Sequence, residues 1–377
     1  MQTFLDKFIG LRNSSRNERL RIAQAPVTFH AGLGRSVWGR LLGFNLLDYF
    51  NDPEVALESQ IKWKLFWHDE IPDDTIIEPI IGIDYGVALE PSLFGMQPVF
   101  MAESDPWYGD PVLANRSDLS RLKIPDFYHS GLMPRIHRDY EEMQRLTGGQ
   151  VEIRFPGWAR GPWSVACMLR GFTNLYLDLI DDPAFVHDLL AFITHSRKEW
   201  EKARCRFLGI DIKDTAYEWQ YVVYRNVANS ELFNDEVDGN LFSLDIYENF
   251  IYPYEKDLND FYGGTRYYHS CGNLTPFLRR LKELKPRLMH ISSATDIAEA
   301  HNIFNPETKF QCCMHPVNDV LIAPQEIMAE KIKAILEAAP GRKLEIWADA
   351  LYEGDHDTLE KVLLWLQTAR KVYQNII

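Results

Sequence analysis

Short apolar runs alternate along most of the chain with longer stretches whose apolar positions recur every three or four residues. The first pattern suits buried strands and the second amphipathic helices. Ala25-Pro26-Val27-Thr28-Phe29-His30 reads as a first strand, with Gly32 and Gly34 at the turn that follows. Asp52-Pro53-Glu54 starts a helix, with an Asx cap, a proline at the first helical position and an acid in the first turn. Residues 76–83 form a second strand candidate interrupted by Pro79, and 151–155 a third. Asp182-Pro183 opens another helix, which carries Phe185, Leu189, Leu190 and Ile193 at helical spacing. The proline-rich stretch 84–128 between them is a long loop excursion.

The second half repeats the alternation more cleanly. Strands are predicted over 209–212, 266–269, 288–291, 309–313 and 344–347, and helices over 244–261, 274–284, 295–304, 324–338 and 357–373. Strands separated by helices of this length pair in parallel through right-handed crossovers. About eight such units predict an α/β fold: one (β/α)8 barrel over 1–377, with long βα loops and an N-terminal helical extension over 1–24. An open doubly wound sheet is the alternative. No GxGxxG follows an early strand and no P-loop motif occurs, which weakens nucleotide-binding versions of either fold.

Composition narrows the setting. The chain has 377 residues, 46% of them hydrophobic, and a formal charge of -14, which gives no support for nucleic-acid binding. No long apolar run predicts a membrane span, and residues 1–24 lack a signal peptide's apolar centre. Five cysteines (Cys167, Cys205, Cys271, Cys312 and Cys313) form no disulfide-framework spacing, so a reduced, cytoplasmic protein is expected. Aromatic residues reach 13%; most suit core packing, and together they suggest a pocket for an apolar or aromatic substrate.

The densest chemistry is His269-Ser270-Cys271-Gly272-Asn273 at the end of a predicted strand. Positions i and i+2 of a strand face the same way, so one zinc ion can meet His269 and Cys271. A barrel builds its site where strands end and βα loops begin. His30 and Arg35, Asp214 and Glu218, Cys312, Cys313 and His315, and Asp349 all fall at such points. Taken singly, His30, His290 and His315 read more readily as hydrogen-bonded structural residues than as ligands, and Cys167 and Cys205 as structural residues, Cys167 a small core one. Cys312 and Cys313 point to opposite faces if the strand runs through both, so only one reaches the mouth with ease.

Gly161-Pro162, Leu169-Arg170-Gly171-Phe172, the segment from Asp181 to His187, Tyr252-Pro253-Tyr254, His269-Ser270-Cys271-Gly272-Asn273 and Gln311-Cys312-Cys313-Met314-His315-Pro316 occur in one order. In that order they resemble the uroporphyrinogen decarboxylase superfamily over nearly the whole chain, which implies the barrel with its site at the C-terminal mouth. The decarboxylase branch is matched poorly. Pro26-Val27-Thr28-Phe29-His30-Ala31-Gly32-Leu33-Gly34-Arg35 keeps that branch's last arginine but has Ala31 for the first, and arginine forks are what grip carboxylates. That branch's acidic residue has no counterpart near Asp84, and its C-terminal Gly-His pair is missing around Asp349.

His-x-Cys-Gly-Asn resembles instead the zinc signature of the cobalamin-dependent methyltransferases. The resemblance implies Zn2+ on His269 and Cys271, with Cys313 as third ligand and Cys312 as its substitute, because the last strand lacks the cysteine of thiol-methylating members. It implies a small methylated substrate, of methoxylated aromatic or methylamine type, and cobalamin carried by a separate corrinoid protein. Asp214, Tyr217 and Glu218 are the candidate acids for the leaving heteroatom; His30, Arg35, Trp163, Trp219, His315, Trp347 and Asp349 are the candidate substrate-binding residues. A homodimer is compatible with the resemblance; nucleic acid and membrane are not expected partners. A metal-free enzyme acting on a tetrapyrrole and a non-catalytic small-molecule-binding homologue are the alternatives.

Overall fold

The computed structural model describes residues 2–212, 218–219, 222–223, 232–351 and 356–376. Eight parallel strands carry the architecture: β1 (Val27–Leu33), β2 (Ile80–Gly82), β3 (Glu152–Arg154), β4 (Leu232–Glu236), β5 (Thr265–Ser270), β6 (Leu288–Ile291), β7 (Lys309–Cys313) and β8 (Leu344–Leu351). Six of them form one sheet in the order β1-β8-β7-β6-β5-β4, while β2 and β3 pair with each other. The first strand thus lies beside the last, with His30 opposite Trp347.

Two seams join the β2–β3 pair to the sheet. At one, Asp74 N–H donates to the Phe29 carbonyl at 2.8 Å while Phe29 N–H donates to Asp74 Oδ2 at 2.9 Å. Asp73 Oδ2 accepts from Ala31 N–H at 3.1 Å, so two side chains extend the edge of β1. At the other, Asp235 N–H donates to the Ala159 carbonyl at 3.0 Å and Gly161 N–H to the Asp235 carbonyl at 2.8 Å. The expected α/β barrel is what these eight strands build. The helix Gln2–Gln24 precedes it and buries Leu5, Phe8 and Leu11.

The pleat sorts each strand's residues between two environments. Phe29 packs its ring against Trp365 and Tyr373 of the C-terminal helix His356–Ile376, so alternate residues Thr28, His30 and Gly32 face the interior. In the same way Phe310 and Cys312 join the outer hydrophobic layer, and Gln311 and Cys313 turn inward. Ala159, Phe233, Tyr267 and Leu288 form a small apolar cluster of their own. The Tyr267 hydroxyl donates to Gln311 Oε1 at 2.5 Å, linking β5 to β7.

Buried arginines satisfy carbonyls where the strands are short. Arg197, on the helix Pro183–Leu208, donates to the carbonyls of Trp158, Arg160 and Phe233, and Arg342 to those of His301, Phe304, Asn305 and Thr308.

One strand lies elsewhere than the hydrophobic pattern suggests. Residues 209–212 form no strand: Gly209, at φ +66, ends the helix Pro183–Leu208 in the left-handed conformation, and Ile210 N–H bonds back to the Cys205 carbonyl. The fourth barrel strand is Leu232–Glu236, whose polar run Asn234-Asp235-Glu236 carries no apolar signal. The helix expected over 244–261 contains a π-helical turn, Tyr247–Ile251, that ends two residues before Pro253. Among the described residues no helix is long and apolar enough to cross a membrane.

Candidate functional site

The end of β5 brings two predicted donors together. Cys271 Sγ lies 3.8 Å from His269 Nε2, Cys271 is exposed, and the His269 ring is largely covered. Two donors on one tetrahedral zinc stand about 3.5 Å apart at ordinary zinc–nitrogen and zinc–sulfur lengths, so the pair fits that ion. The other ring nitrogen, Nδ1, lies 2.7 Å from Asp235 Oδ1 on β4, directly across the ladder. The second Asp235 oxygen takes Arg160 at 2.8 Å. Burial opposes charge on His269, but the Asp235 and Cys271 charges outweigh it and hold its pKa up to about 10. Burial also acts against the Asp235 carboxylate, yet Arg160 and His269 keep its pKa below the ordinary value.

His290 on β6 stacks obliquely beside this group, its ring centroid 4.3 Å from that of His269, with Nδ1 3.1 Å from the Ser270 carbonyl. Burial and the neighbouring His269 charge push its pKa well down, which leaves a neutral imidazole.

The loop holding Cys271 is clasped from both sides. Gly239 N–H donates to the Cys271 carbonyl at 2.8 Å, and Asn273 N–H to Asn240 Oδ1 at 3.1 Å. Ser292 and Thr295 donate from the other side to the Gly272 carbonyl. Gly272 has φ +80, and a Cβ there would overlap Asp238 Oδ1 and Asn240 Nδ2. The motif's glycine is therefore required twice, by backbone conformation and by close approach.

Cys313 faces the interior from β7, and burial, then Asp349, Cys312 and Cys271, push its thiol pKa well up. The Cys313 thiol is thus close enough to Asp349 and to Cys271 to feel the charge of each. Asp349 sits against Gly32, where a Cβ would overlap its Oδ1. Cys312 faces away into the hydrophobic layer, with its thiol pKa raised by burial to about 12. Among the described residues, no group of three or more His, Cys, Asp or Glu side chains is arranged to hold a metal ion. The His269–Cys271 pair fits zinc; among the described residues a third donor is not assembled beside it.

The candidate substrate residues scatter. His30 stacks on Trp347, with centroids 4.5 Å apart, and its two nitrogens lie 2.8 Å from Thr28 Oγ1 and 3.1 Å from Thr75 Oγ1. Both nitrogens are thereby occupied within the protein, and burial lowers its pKa to about 4. Arg35 is clamped by Asp105 at 2.6 Å and Asp84 at 3.2 Å. Trp163 lies fully buried in the helix Pro162–Arg170, edge-on to Tyr176, which places it in the core. His315 caps the turn Pro316–Leu321, its Nδ1 accepting from Asn318 N–H at 3.1 Å. Asp214 and Tyr217 lie outside the described residues; Glu218 and Trp219 belong to a short two-residue strand whose side chains are not described.

Reasoning from sequence missed Asp235 and Arg160, which no local spacing connects to His269. Trp107 and Tyr108, which the sequence marks only as two of the loop aromatics suggesting a pocket, stack at 4.9 Å on a hairpin that pairs Pro98–Val99 with Trp107–Tyr108. The Arg35–Asp105 pair ties the connecting loop of that hairpin to the mouth at β1. Tyr108 is raised in pKa by burial and by Cys167, against Arg160, so it stands within electrostatic reach of Arg160.

The family model described as "Uroporphyrinogen decarboxylase (URO-D)" matches residues 37–204 and 225–345. No protein of curated function matches the chain. Among solved structures, a "methyltransferase from Methanosarcina mazei" matches with a TM-score of 0.62 at 14% identity, covering 91% of this chain and 92% of that one. At that identity the likeness establishes a shared fold.

Proposed function

The chain belongs to the uroporphyrinogen decarboxylase family, and from that premise we propose that it is a zinc-dependent methyltransferase. In this reading one methyl group passes between the heteroatom of a small methylated substrate and the cobalt of a separate corrinoid protein. The observation that carries it is the His269 Nε2–Cys271 Sγ pair at 3.8 Å, on a barrel rim, with the distal imidazole nitrogen held by a carboxylate. Arg35, clamped by two aspartates, is badly placed to grip a polycarboxylate, which favours this reading over decarboxylation. The structural neighbour described as a methyltransferase is consistent with this reading.

His269 and Cys271 would hold the metal, with Cys313 as third donor. Bound zinc would supply a Lewis acid that draws charge from the substrate heteroatom. The heteroatom keeps the bonding electron pair when the methyl group passes to cobalt. A methoxyarene oxygen leaves as phenolate, which a proton from Asp214, Tyr217 or Glu218 would complete to the phenol, while a methylated ammonium leaves as the neutral amine and needs no proton. Trp107 and Tyr108 on the hairpin offer aromatic faces to a methoxyarene or a methylammonium group, whereas Trp347 is buried with one face stacked on His30.

Metal analysis of the purified protein tests the reading. About one zinc per chain is expected, reduced in Cys271→Ser and Cys313→Ser, because thiolate ligands supply much of the binding free energy. Methyl transfer from methoxyarenes and methylamines to cob(I)alamin on a corrinoid protein is the companion assay. A native protein without metal, or one moving no methyl group, overturns it.

A further inference from the structure

We propose that Asp235 and Arg160 form a positioning relay that presents His269 Nε2 to the metal, an inference that rests on the zinc reading above. Asp235 is buried at 1% exposure and uses both oxygens: Oδ1 toward His269 Nδ1 at 2.7 Å and Oδ2 toward Arg160 at 2.8 Å. An imidazole whose Nδ1 is committed to a carboxylate is oriented about that bond, and here its Nε2 is turned to Cys271 Sγ at 3.8 Å. A carboxylate behind a ligand histidine fixes ring orientation and raises basicity, and its loss typically weakens metal binding about 10–100-fold.

Arg160 makes the relay directional. Without it, the carboxylate could rotate about its χ angles and offer either oxygen; with it, Oδ1 is reserved for the histidine. Arg160 is itself fixed by its backbone. Its N–H donates to Glu90 Oε1 at 3.0 Å, its carbonyl accepts from Trp158 Nε1 and Arg197, and the flanking Ala159 and Gly161 pair with the Asp235 backbone. The guanidinium and the carboxylate therefore arrive from the β3 and β4 ends of the barrel already in register, joined by the parallel bridge Arg160↔Asp235. The relay serves His269 by orientation and touches no reacting atom.

The experiment measures zinc affinity of the full chain by competition with a chromophoric chelator, beside melting of the metal-free proteins. Asp235→Asn is expected to bind zinc about 10–100-fold more weakly, and Arg160→Gln to fall between it and the native protein. A double-mutant cycle separates positioning from general damage. If Asp235 acts through the imidazole, Asp235→Asn added to His269→Ala produces no further loss. Cobalt(II) substitution gives a second readout, since the thiolate charge-transfer and d–d bands should change in Asp235→Asn even where the metal is saturating. Native protein that binds zinc, with Asp235→Asn unchanged in affinity and spectrum, overturns the relay alone. Additive losses in the cycle do the same. Native protein that binds no zinc overturns the relay and the functional reading together. Should Asp235→Asn fail to fold, Arg160→Gln and Arg160→Lys carry the test, with lysine expected to restore part of the loss.

Discussion

Replacing Gly272 by alanine should damage the site without touching a donor atom. The residue sits at φ +80, where an L side chain costs about 1–2 kcal/mol. The new Cβ would overlap Asp238 Oδ1 and Asn240 Nδ2 and lie 2.8 Å from Asn240 Cγ. Clearing it breaks two bonds that define the clasp, Asn240 N–H to Asp238 Oδ1 at 2.8 Å and Asn273 N–H to Asn240 Oδ1 at 3.1 Å. Each is worth about 1 kcal/mol, discounted here because Asn240 is exposed and water can replace part of it. The sum is about 2–3 kcal/mol. With an unfolding entropy of about 2.1 cal/mol/K per residue, that corresponds to a fall in Tm of about 3 °C for a chain this long. Because Gly239 also holds the Cys271 carbonyl, zinc affinity should fall with it. Differential scanning calorimetry of Gly272→Ala alone, and in an Asp238→Ala, Asn240→Ala background, divides the cost. With the space cleared, only the backbone part should remain, about 1–2 kcal/mol. A Gly272→Ala protein melting with the native one, or a cost unchanged by clearing, would refute the reasoning.

Three further outcomes are expected. Burial holds the His30 pKa down to about 4, so the unfolded chain takes up a proton near 6.5 that the folded chain refuses. Stability should therefore be lost as pH falls from 6.5 to 4, by up to about 3 kcal/mol, and His30→Gln should flatten that slope in melts taken across this range. Arg35→Met leaves Asp84 and Asp105 facing each other at the mouth; about 2 kcal/mol should be lost, and limited proteolysis between residues 98 and 108 should accelerate, with an unchanged cutting rate counting against the clamp. Gly32→Ala forces Asp349 away from β1, since the added Cβ would also lie 3.2 Å from the Asp349 Cα; the melt should drop by roughly 2 °C and recover in part with Asp349→Gly.

Much of the barrel was legible because its later strands are short apolar runs between well-marked helices. The expected strands over 288–291 and 309–313 coincide with β6 and β7, and His269 and Cys271 share a face as their spacing requires. The early strands were harder to read. Around β1 the ladder is continued by the side chains of Asp73 and Asp74, which no periodicity marks. β4 was invisible because three of its five residues are polar and buried through tertiary bonds: Asn234 to Glu255, Asp235 to His269 and Arg160, Glu236 to Ser164. Asp235 lies 34 positions before the histidine it faces, and only the parallel register of β4 on β5 makes them neighbours. The tryptophans misled for a related reason. A large aromatic residue near a glycine looks the same in sequence whether it lines a mouth or, like Trp163, fills the layer behind it.

The sorting of thiols by strand parity and burial has a practical consequence for labelling. Of the five cysteines only Cys271 is exposed, while Cys167, Cys205, Cys312 and Cys313 are buried. An alkylating dye applied to the folded protein should find one target, and that target is a proposed metal donor. Labelling stoichiometry then becomes an occupancy gauge: fast modification reports an open site, protection reports a filled one, and the modified fraction is locked in the empty state.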